Sequence, residues 1–514
     1  MPKKTVAVLV LVAFLITTIG CHHTIKRPPE KLEGGSEKII KIALVDGRVI
    51  EFDADGGRYS SETRQISGYT PVAALATYQG RDTVISSFEP VNMPVDSVLQ
   101  VWVRKSDPAL TVLAVLTVTV LVALVAALVA AAFKESCPFV YAWDGQKYVF
   151  DAEPLGGAIC EGLQRSECSR LEYAAPDAGR YRVKFRNEVP ETQYLDQVGL
   201  LVVDHAPDQL IVPDAACRLH VISNARSPLG ATDESGADIR TFVAERDGLA
   251  WQTQMTESAL KRTADTRHHL AFEFAKPVGA KHARLIVNAG TAIWGSNMIR
   301  EMLQMRGSQV DQWYREVNRR GAKALELLSF NLREEMYLLK LYVQGDDSLL
   351  ERALIPGGGP FLAEDRVIGF DVSDIPGDRL TLRLNPPKGF WMIDYLAVEY
   401  DDSTMAAPRA VPVGSAQDQS GRDITAELAA IDSVRYVMPR VGDWADISFA
   451  APPGAPDLAR SVFLVTTGYY EIQIDKKAPE QTALIHRMLS EPGAIITYAI
   501  DKYVEWTQQQ ARNN

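Results

Sequence analysis

The pattern of hydrophobic and polar positions divides this 514-residue chain at one stretch. Ala109 to Phe133 (ALTVLAVLTVTVLVALVAALVAAAF) holds no charge, no glycine and no proline. At about 1.5 Å per residue, a helix of that length reaches about 37 Å, enough for a hydrocarbon core of about 30 Å with some tilt. The stretch therefore predicts a transmembrane helix over 109–133. Ala123, Ala127 and Ala131 share one face of it at a spacing of four. Small residues so placed let two helices pack closely, which predicts self-association.

On either side the period shortens to two. Ile39 to Val45 and Val49 to Phe52 flank Asp46-Gly47, a pair suited to a tight hairpin turn, and Val98 to Val103 is a further strand. Residues 39–105 thus read as a small β domain. Residues 22–38, polar and rich in Pro and Gly around TIKRPPEKLEGGSEK, read as a linker. After the apolar stretch, Phe139 to Phe150 reads as a second hairpin around Asp144-Gly145, with aromatic residues alternating on both arms.

The C-terminal region repeats itself. Tyr181 to Asn187 matches Leu380 to Asn385, and the strand Val198 to His205 has a counterpart in Tyr395 to Asp401. Asp233-Glu234-Ser235-Gly236-Ala237-Asp238-Ile239 pairs with Asp418-Gln419-Ser420-Gly421-Arg422-Asp423-Ile424. Asp247 and Asp432 keep the same offset from these motifs, and Phe274, Pro277 and Gly279 match Phe449, Pro452 and Gly454. Each copy is a run of short strands, which predicts two duplicated β-sandwich-like units, over 134–295 and 347–475. Between them, about Asn297 to Val343, apolar residues keep helical spacing, broken at Gly307 and Gly321, so 296–346 is read as a helical insert. Residues 476–514 are read as C-terminal helices interrupted at Pro492-Gly493. The expected fold class is mainly β with α insertions.

The N-terminus has the order of an export signal: Lys3 and Lys4, an apolar run to Ile19, then Thr18-Ile19-Gly20-Cys21. That tetrapeptide resembles a bacterial lipobox, with Thr18 where the pattern prefers Leu, and residues 1–21 are read as signal peptide with Cys21 as the lipidation site. A bacterial cell membrane localisation follows. Parity across the apolar stretch places residues 22–108 on the periplasmic or extracellular side and residues 134–514 in the cytoplasm. Against that parity, a β-rich region with four cysteines suits an oxidising compartment.

Composition narrows the function. A formal charge of −11 argues against nucleic-acid binding. The five cysteines, Cys21, Cys137, Cys160, Cys168 and Cys217, form no CxxC pair, so a zinc ribbon or thioredoxin-type site is not supported. The block SCPFVYAWDGQKYVFDAEPLGGAI (136–159), with Glu191 to Tyr194 and Val202 to His205 downstream, resembles a family of bacterial membrane-attached proteins. The resemblance implies a small β domain, an apolar helix and this motif, and brings no particular activity.

Candidate chemistry is sparse. Asp233, Asp238, Asp418 and Asp423 could give oxygens to a calcium ion, although a capped turn explains them without metal and is the favoured reading. Gly357-Gly358-Gly359-Pro360 could cradle an anion but lacks the Lys-Ser/Thr end of a P-loop. His268-His269 reads as surface or strand edge. Asp204-His205 is part of a hydrolase triad pattern, with no Gly-x-Ser-x-Gly elbow beside it. No cofactor is implied. The expected function is a membrane-tethered, non-catalytic binding or scaffold protein with a protein or glycan partner. The alternative is a membrane-anchored hydrolase acting on glycans or esters, using Asp204 and His205 between the copies.

Overall fold

A computed structural model describes residues 22–32, 38–46, 48–52, 56–78, 81–106, 138–255, 260, 265–346, 348–400, 404–432 and 434–512. It divides into two compact units at about residue 129.

The smaller unit is built of strands. Its strands are β1 (His22–Arg27), β2 (Lys38–Leu44), β3 (Val49–Glu51), β4 (Arg58–Ser60), β5 (Gln65–Tyr78), β6 (Arg81–Pro94) and β7 (Val98–Ser106). They form a sheet ordered β1-β7-β2-β3 and another ordered β4-β5-β6. Alternation along β7 puts Val101 and Val103 inside with Ile39, Ile42 and Leu44 of β2, and leaves Leu99 exposed. One expectation changes. Residues 22–27, read as tether, pair antiparallel with β7 as an edge strand.

The membrane expectation is corrected. Among the described residues no helix is long and apolar enough to cross a membrane. The 19-residue C-terminal helix carries Asp501, Lys502 and Glu505, and such charges are costly in hydrocarbon. Ala109–Phe133, the signal peptide and Cys21 lie outside the described residues. The transmembrane helix, the membrane localisation and its division into periplasmic and cytoplasmic parts thus find no support among the described residues.

The larger unit is mainly β. Its first strands are β8 (Phe139–Trp143), β9 (Tyr148–Ala152), β10 (Arg165–Leu171), β11 (Arg180–Arg186) and β12 (Glu191–His205). There follow β13 (Leu210–Pro213), β14 (Leu219–Ile222), β15 (Gly230–Thr232), β16 (Trp251–Gln252), β17 (Leu270–Ala275) and β18 (His282–Thr291). Helices α1 (Ile293–Gln304), α2 (Val310–Asn318) and α3 (Ala322–Glu334) come next. After them stand β19 (Leu338–Gln344), β20 (Leu349–Pro356), β21 (Glu364–Asp371), β22 (Arg379–Leu384) and β23 (Trp391–Glu399). The chain then runs through β24 (Thr404–Met405), β25 (Arg409–Pro412), β26 (Ser415–Asp418), β27 (Tyr436–Met438), β28 (Trp444–Ala450) and β29 (Ala459–Ile472). It ends in α4 (Thr482–Ser490) and α5 (Ala494–Arg512).

Two sandwich-like pairs of sheets result. The first sandwich packs β26-β28-β11-β8-β9 on β10-β29-β12-β25, with β27 also on β12. The second packs β15-β17-β22-β19-β20 on β16-β23-β18-β21. Local patterns explain the strands. β11 buries Tyr181, Val183 and Phe185 and turns Arg182 and Lys184 outward; β22 does the same with Leu380, Leu382 and Leu384.

The partners were not expected. β11 pairs with β28, so that Tyr181 faces Phe449, and β22 pairs with β17, so that Leu380 faces Phe274. The sheets therefore cut across the boundaries read at 295 and 347. Each half of the unit gives β8–β12 or β19–β23 to one sandwich and its later strands to the other. The helices α1–α3 lie between the two halves in sequence, and the expected insert ends as a strand, β19, rather than as helix.

Candidate binding site

A cavity of about 370 Å³ opens between the helices α1–α3 and the segment 156–167. Gly156-Gly157 ends the hairpin motif, and the chain turns there because Gly157 takes a φ of +79°. Its N–H donates to the Tyr470 hydroxyl at 3.1 Å. Gly162 lets this segment touch α2: a Cβ there would lie 2.6 Å from the Val317 carbonyl oxygen. Its N–H donates to Asn318 Oδ1 at 2.9 Å. α2 answers with a buried face of Val310, Trp313, Tyr314 and Val317 at helical spacing.

The cavity wall is mostly apolar, with Ile299 and Met302 from α1, Trp313 from α2, Leu327 and Phe330 from α3, and Tyr337 beyond it. Leu328 also lines it and is 48% exposed, which places it at the mouth. Charged groups stand among these. Arg306 stacks over the Trp313 ring at 4.6 Å, and burial pushes its pKa below the usual guanidinium range. Lys323 pairs with Glu326 at 2.9 Å. Arg165 pairs with Glu167 at 3.1 Å. Four cations, Arg165, Arg306, Lys323 and Arg366, thus line the cavity against two carboxylates, Glu167 and Glu326.

Arg366 is buried, and its charge is met inside. Nη2 donates to Glu167 at 2.9 Å, Nη1 lies 2.8 Å from Glu364, and Nη1 also donates to the Asp365 carbonyl. Glu364 accepts from the Ser169 hydroxyl at 2.7 Å. Burial raises the Glu364 pKa, with the Arg366 guanidinium pulling the other way.

The residues singled out in the sequence lie elsewhere. Asp204 is held by Arg409 and by Arg460, whose Nε is 2.6 Å from Oδ1, and the Arg460 hydrogen bond keeps its pKa low. It does not meet the His205 ring. His205 Nε2 is 2.9 Å from Ser461 Oγ and Nδ1 is 2.9 Å from the Ala206 carbonyl oxygen. Ser461 is buried within β29, and neither residue lines the cavity.

Asp233 Oδ1 accepts from Ser235 N, Ser235 Oγ and Ala237 N, and Asp418 Oδ1 accepts from Ser420 N, Ser420 Oγ and Arg422 N. Asp238 accepts from Arg240 N and Asp423 from Thr425 N. All four carboxylates accept hydrogen bonds that fold their own turns. Among the described residues no group of three or more His, Cys, Asp or Glu side chains is arranged to hold a metal.

Gly357-Gly358-Gly359 receives the protein's own carboxylate. A Cβ on Gly359 would lie 2.3 Å from Glu153, whose Oε2 accepts from Phe361 N at 2.9 Å. His268 is half-buried against Trp251 and pairs with Glu234 at 2.9 Å.

Two features escaped the sequence reading. Cys168 and Cys217 form a disulfide across 49 residues, tying the β13–β14 hairpin to β10. A lone Asp also stands at a β-bulge in each sandwich: Asp196 in β12 and Asp394 in β23. The signal was present, since each interrupts an apolar strand (Leu195-Asp196-Gln197 and Ile393-Asp394-Tyr395).

No protein-family model and no curated protein matches this chain. Among solved structures it is similar to a GH31 alpha-xylosidase from Xanthomonas citri, at 13% identity and a TM-score of 0.13. The match covers 86% of this chain, which spans 32% of that one. A likeness at that TM-score carries no argument about fold or chemistry.

Proposed function

We propose that this chain is a non-catalytic binding protein built from two duplicated halves that exchange strands between two sandwiches. Its occupant is an amphipathic anion seated in the cavity against α1–α3. The observation that carries this is the wall itself: a mostly apolar chamber of about 370 Å³ with Arg306 and Lys323 among its lining residues. Volumes of this order suit small ligands. An apolar body gains by burial at about 25 cal/mol per Å², and an anionic end meets Arg306 and Lys323 at the wall.

The hydrolase reading has one observation in its favour, the contact between Ser461 and His205. Three facts weigh against it. Ser461 is 3% exposed, the pair lines neither this cavity nor the one beside Asp394, and Asp204 is engaged by two arginines.

The test uses anilinonaphthalene sulfonate, an apolar ring system with one anionic group, read by its fluorescence and by quenching of Trp313. Saturable binding by the full chain is expected. Met302→Trp should fill the chamber and weaken binding at least tenfold, and Arg306→Ala should weaken it severalfold. Binding that both variants leave unchanged would overturn the proposal.

A further inference from the structure

A second cavity, of about 330 Å³, lies at the seam where the two sandwiches meet. It is lined by Asp151 and Arg170 from the first sandwich and by Arg246, Ala363, Asp365 and Asp394 from the second. Its charged groups are almost all engaged. Asp151 accepts from Glu172 N and Tyr173 N at 2.9 Å. Asp365 accepts from Asn288 at 2.8 Å and lies 3.2 Å from Arg246. Arg246 also pairs with Glu172.

Asp394 differs. The residue is 4% exposed. Oδ2 accepts from Gly248 N at 3.2 Å, while Oδ1 is buried with no hydrogen-bond partner. A buried acceptor left unmet is costly, so it points to a missing donor. Arg170 Nη1, on the same cavity wall, is a buried donor likewise without a partner.

The first sandwich shows how such an aspartate is completed. Asp196 occupies the corresponding bulge: Leu195 faces Gly468 and Gln197 faces Thr467, which leaves Asp196 as the extra residue. In the second sandwich Tyr395 faces Asn288 and Ile393 faces Ala289, which leaves Asp394 extra. Asp196 has both oxygens met, Oδ1 by Asp432 N at 3.0 Å and Oδ2 by the Gln164 side-chain amide at 2.8 Å. Gln164 immediately precedes β10. The residue in the same place before the corresponding edge strand, β21, is Ala363. Alanine cannot reach the bulged aspartate, and the cavity opens where the glutamine side chain would stand.

We propose that the seam cavity binds a ligand bearing a primary carboxamide, whose N–H₂ donates to Asp394 Oδ1 and whose carbonyl oxygen accepts from Arg170. The amide would take the place that Gln164 fills in the other sandwich. This site is separate from the cavity against α1–α3, and the two proposals can fail independently.

The probes are L-glutamine and L-glutamate, nearly isosteric but differing in the donor, together with N-acetyl-glutamine methylamide as the side chain within a peptide. Each is titrated into the full chain by calorimetry. Either carboxamide probe should bind at least tenfold more tightly than glutamate. Free glutamine as the better ligand assigns an amino-acid-like ligand, and the peptide form as the better one assigns a protein side chain. Asp394→Asn should weaken binding at least tenfold. Ala363→Gln should abolish it while raising Tm, because it supplies the amide from within. Failure of both carboxamide probes to bind, equal binding of glutamate, or full retention of binding in Ala363→Gln would each overturn the proposal.

Discussion

Arg366 on β21 donates to Glu167 on β10 at 2.9 Å, and the pair links an edge strand of one sandwich to an edge strand of the other. The two strands carry the same device with the signs exchanged: Arg165 and Glu167 on β10, Glu364 and Arg366 on β21. One buried guanidinium thereby holds two buried carboxylates. Replacing Arg366 by Met should cost about 3–5 kcal/mol, because both carboxylates would remain buried without a counter-charge. Adding Glu167→Gln and Glu364→Gln should recover part of the loss. Urea denaturation at neutral pH measures both, and a single variant as stable as the parent would show that the link carries no load.

The Cys168–Cys217 disulfide closes a loop with a sequence separation of 49. A loop of that size restricts the unfolded chain by up to about 4 kcal/mol, so Cys217→Ser should lose about 2–4 kcal/mol. The parent protein should show the same loss on reduction. Cys160 is buried, and burial pushes its thiol up to about 11. It should resist thiol reagents in the native state and react after unfolding.

Gly162 sits where the cavity segment touches α2. A methyl group there meets backbone, the Val317 carbonyl oxygen at 2.6 Å, which cannot move aside as a side chain tip would. Gly162→Ala should cost about 1–3 kcal/mol by overpacking. It should also weaken binding of the sulfonate probe, since α2 carries Trp313 into the cavity wall. Unchanged stability in thermal melts would count against this close contact.

Asp151 has its pKa raised to about 6 by burial, partly opposed by the backbone N–H groups of Tyr173 and Glu172. Its unfolded value is near 3.8. A carboxyl raised on folding contributes stability that is fully present below the unfolded pKa and is lost as pH climbs through the folded one. The shift corresponds to about 3 kcal/mol. Relative to Asp151→Asn, the parent protein should therefore lose about 2–3 kcal/mol between pH 4 and pH 7. Denaturation of both proteins across that range gives the difference directly, and a flat difference would mean that Asp151 titrates normally.

Much of the local structure could be read from the chain. The hairpin around Asp144-Gly145, the helix breaks at Gly307 and Gly321 and the matched Asp-x-Ser-Gly turns all depend on residues a few positions apart. The binding site was less legible. Its wall gathers Gly157, Met302, Leu327 and Arg366 from distant parts of the sequence, and only Gly157 belongs to a motif. The bulged Asp196 and Asp394 were visible as polar residues in apolar strands, but nothing in the order of residues says which one has a glutamine to meet it.

By itself the sequence determined where many of the strands and helices form and which positions recur, because side-chain period, turn chemistry and capping act over a few residues. It did not determine which strands pair. RYRVKFR and RLTLRL present the same alternation, and either could lie against LAFEFA or WADISFA. Only the tertiary structure decided that Tyr181 faces Phe449 and Leu380 faces Phe274. Partner choice depends on how both pairs of sheets bury their inner faces at once, and that is a property of the whole packed unit rather than of any one strand.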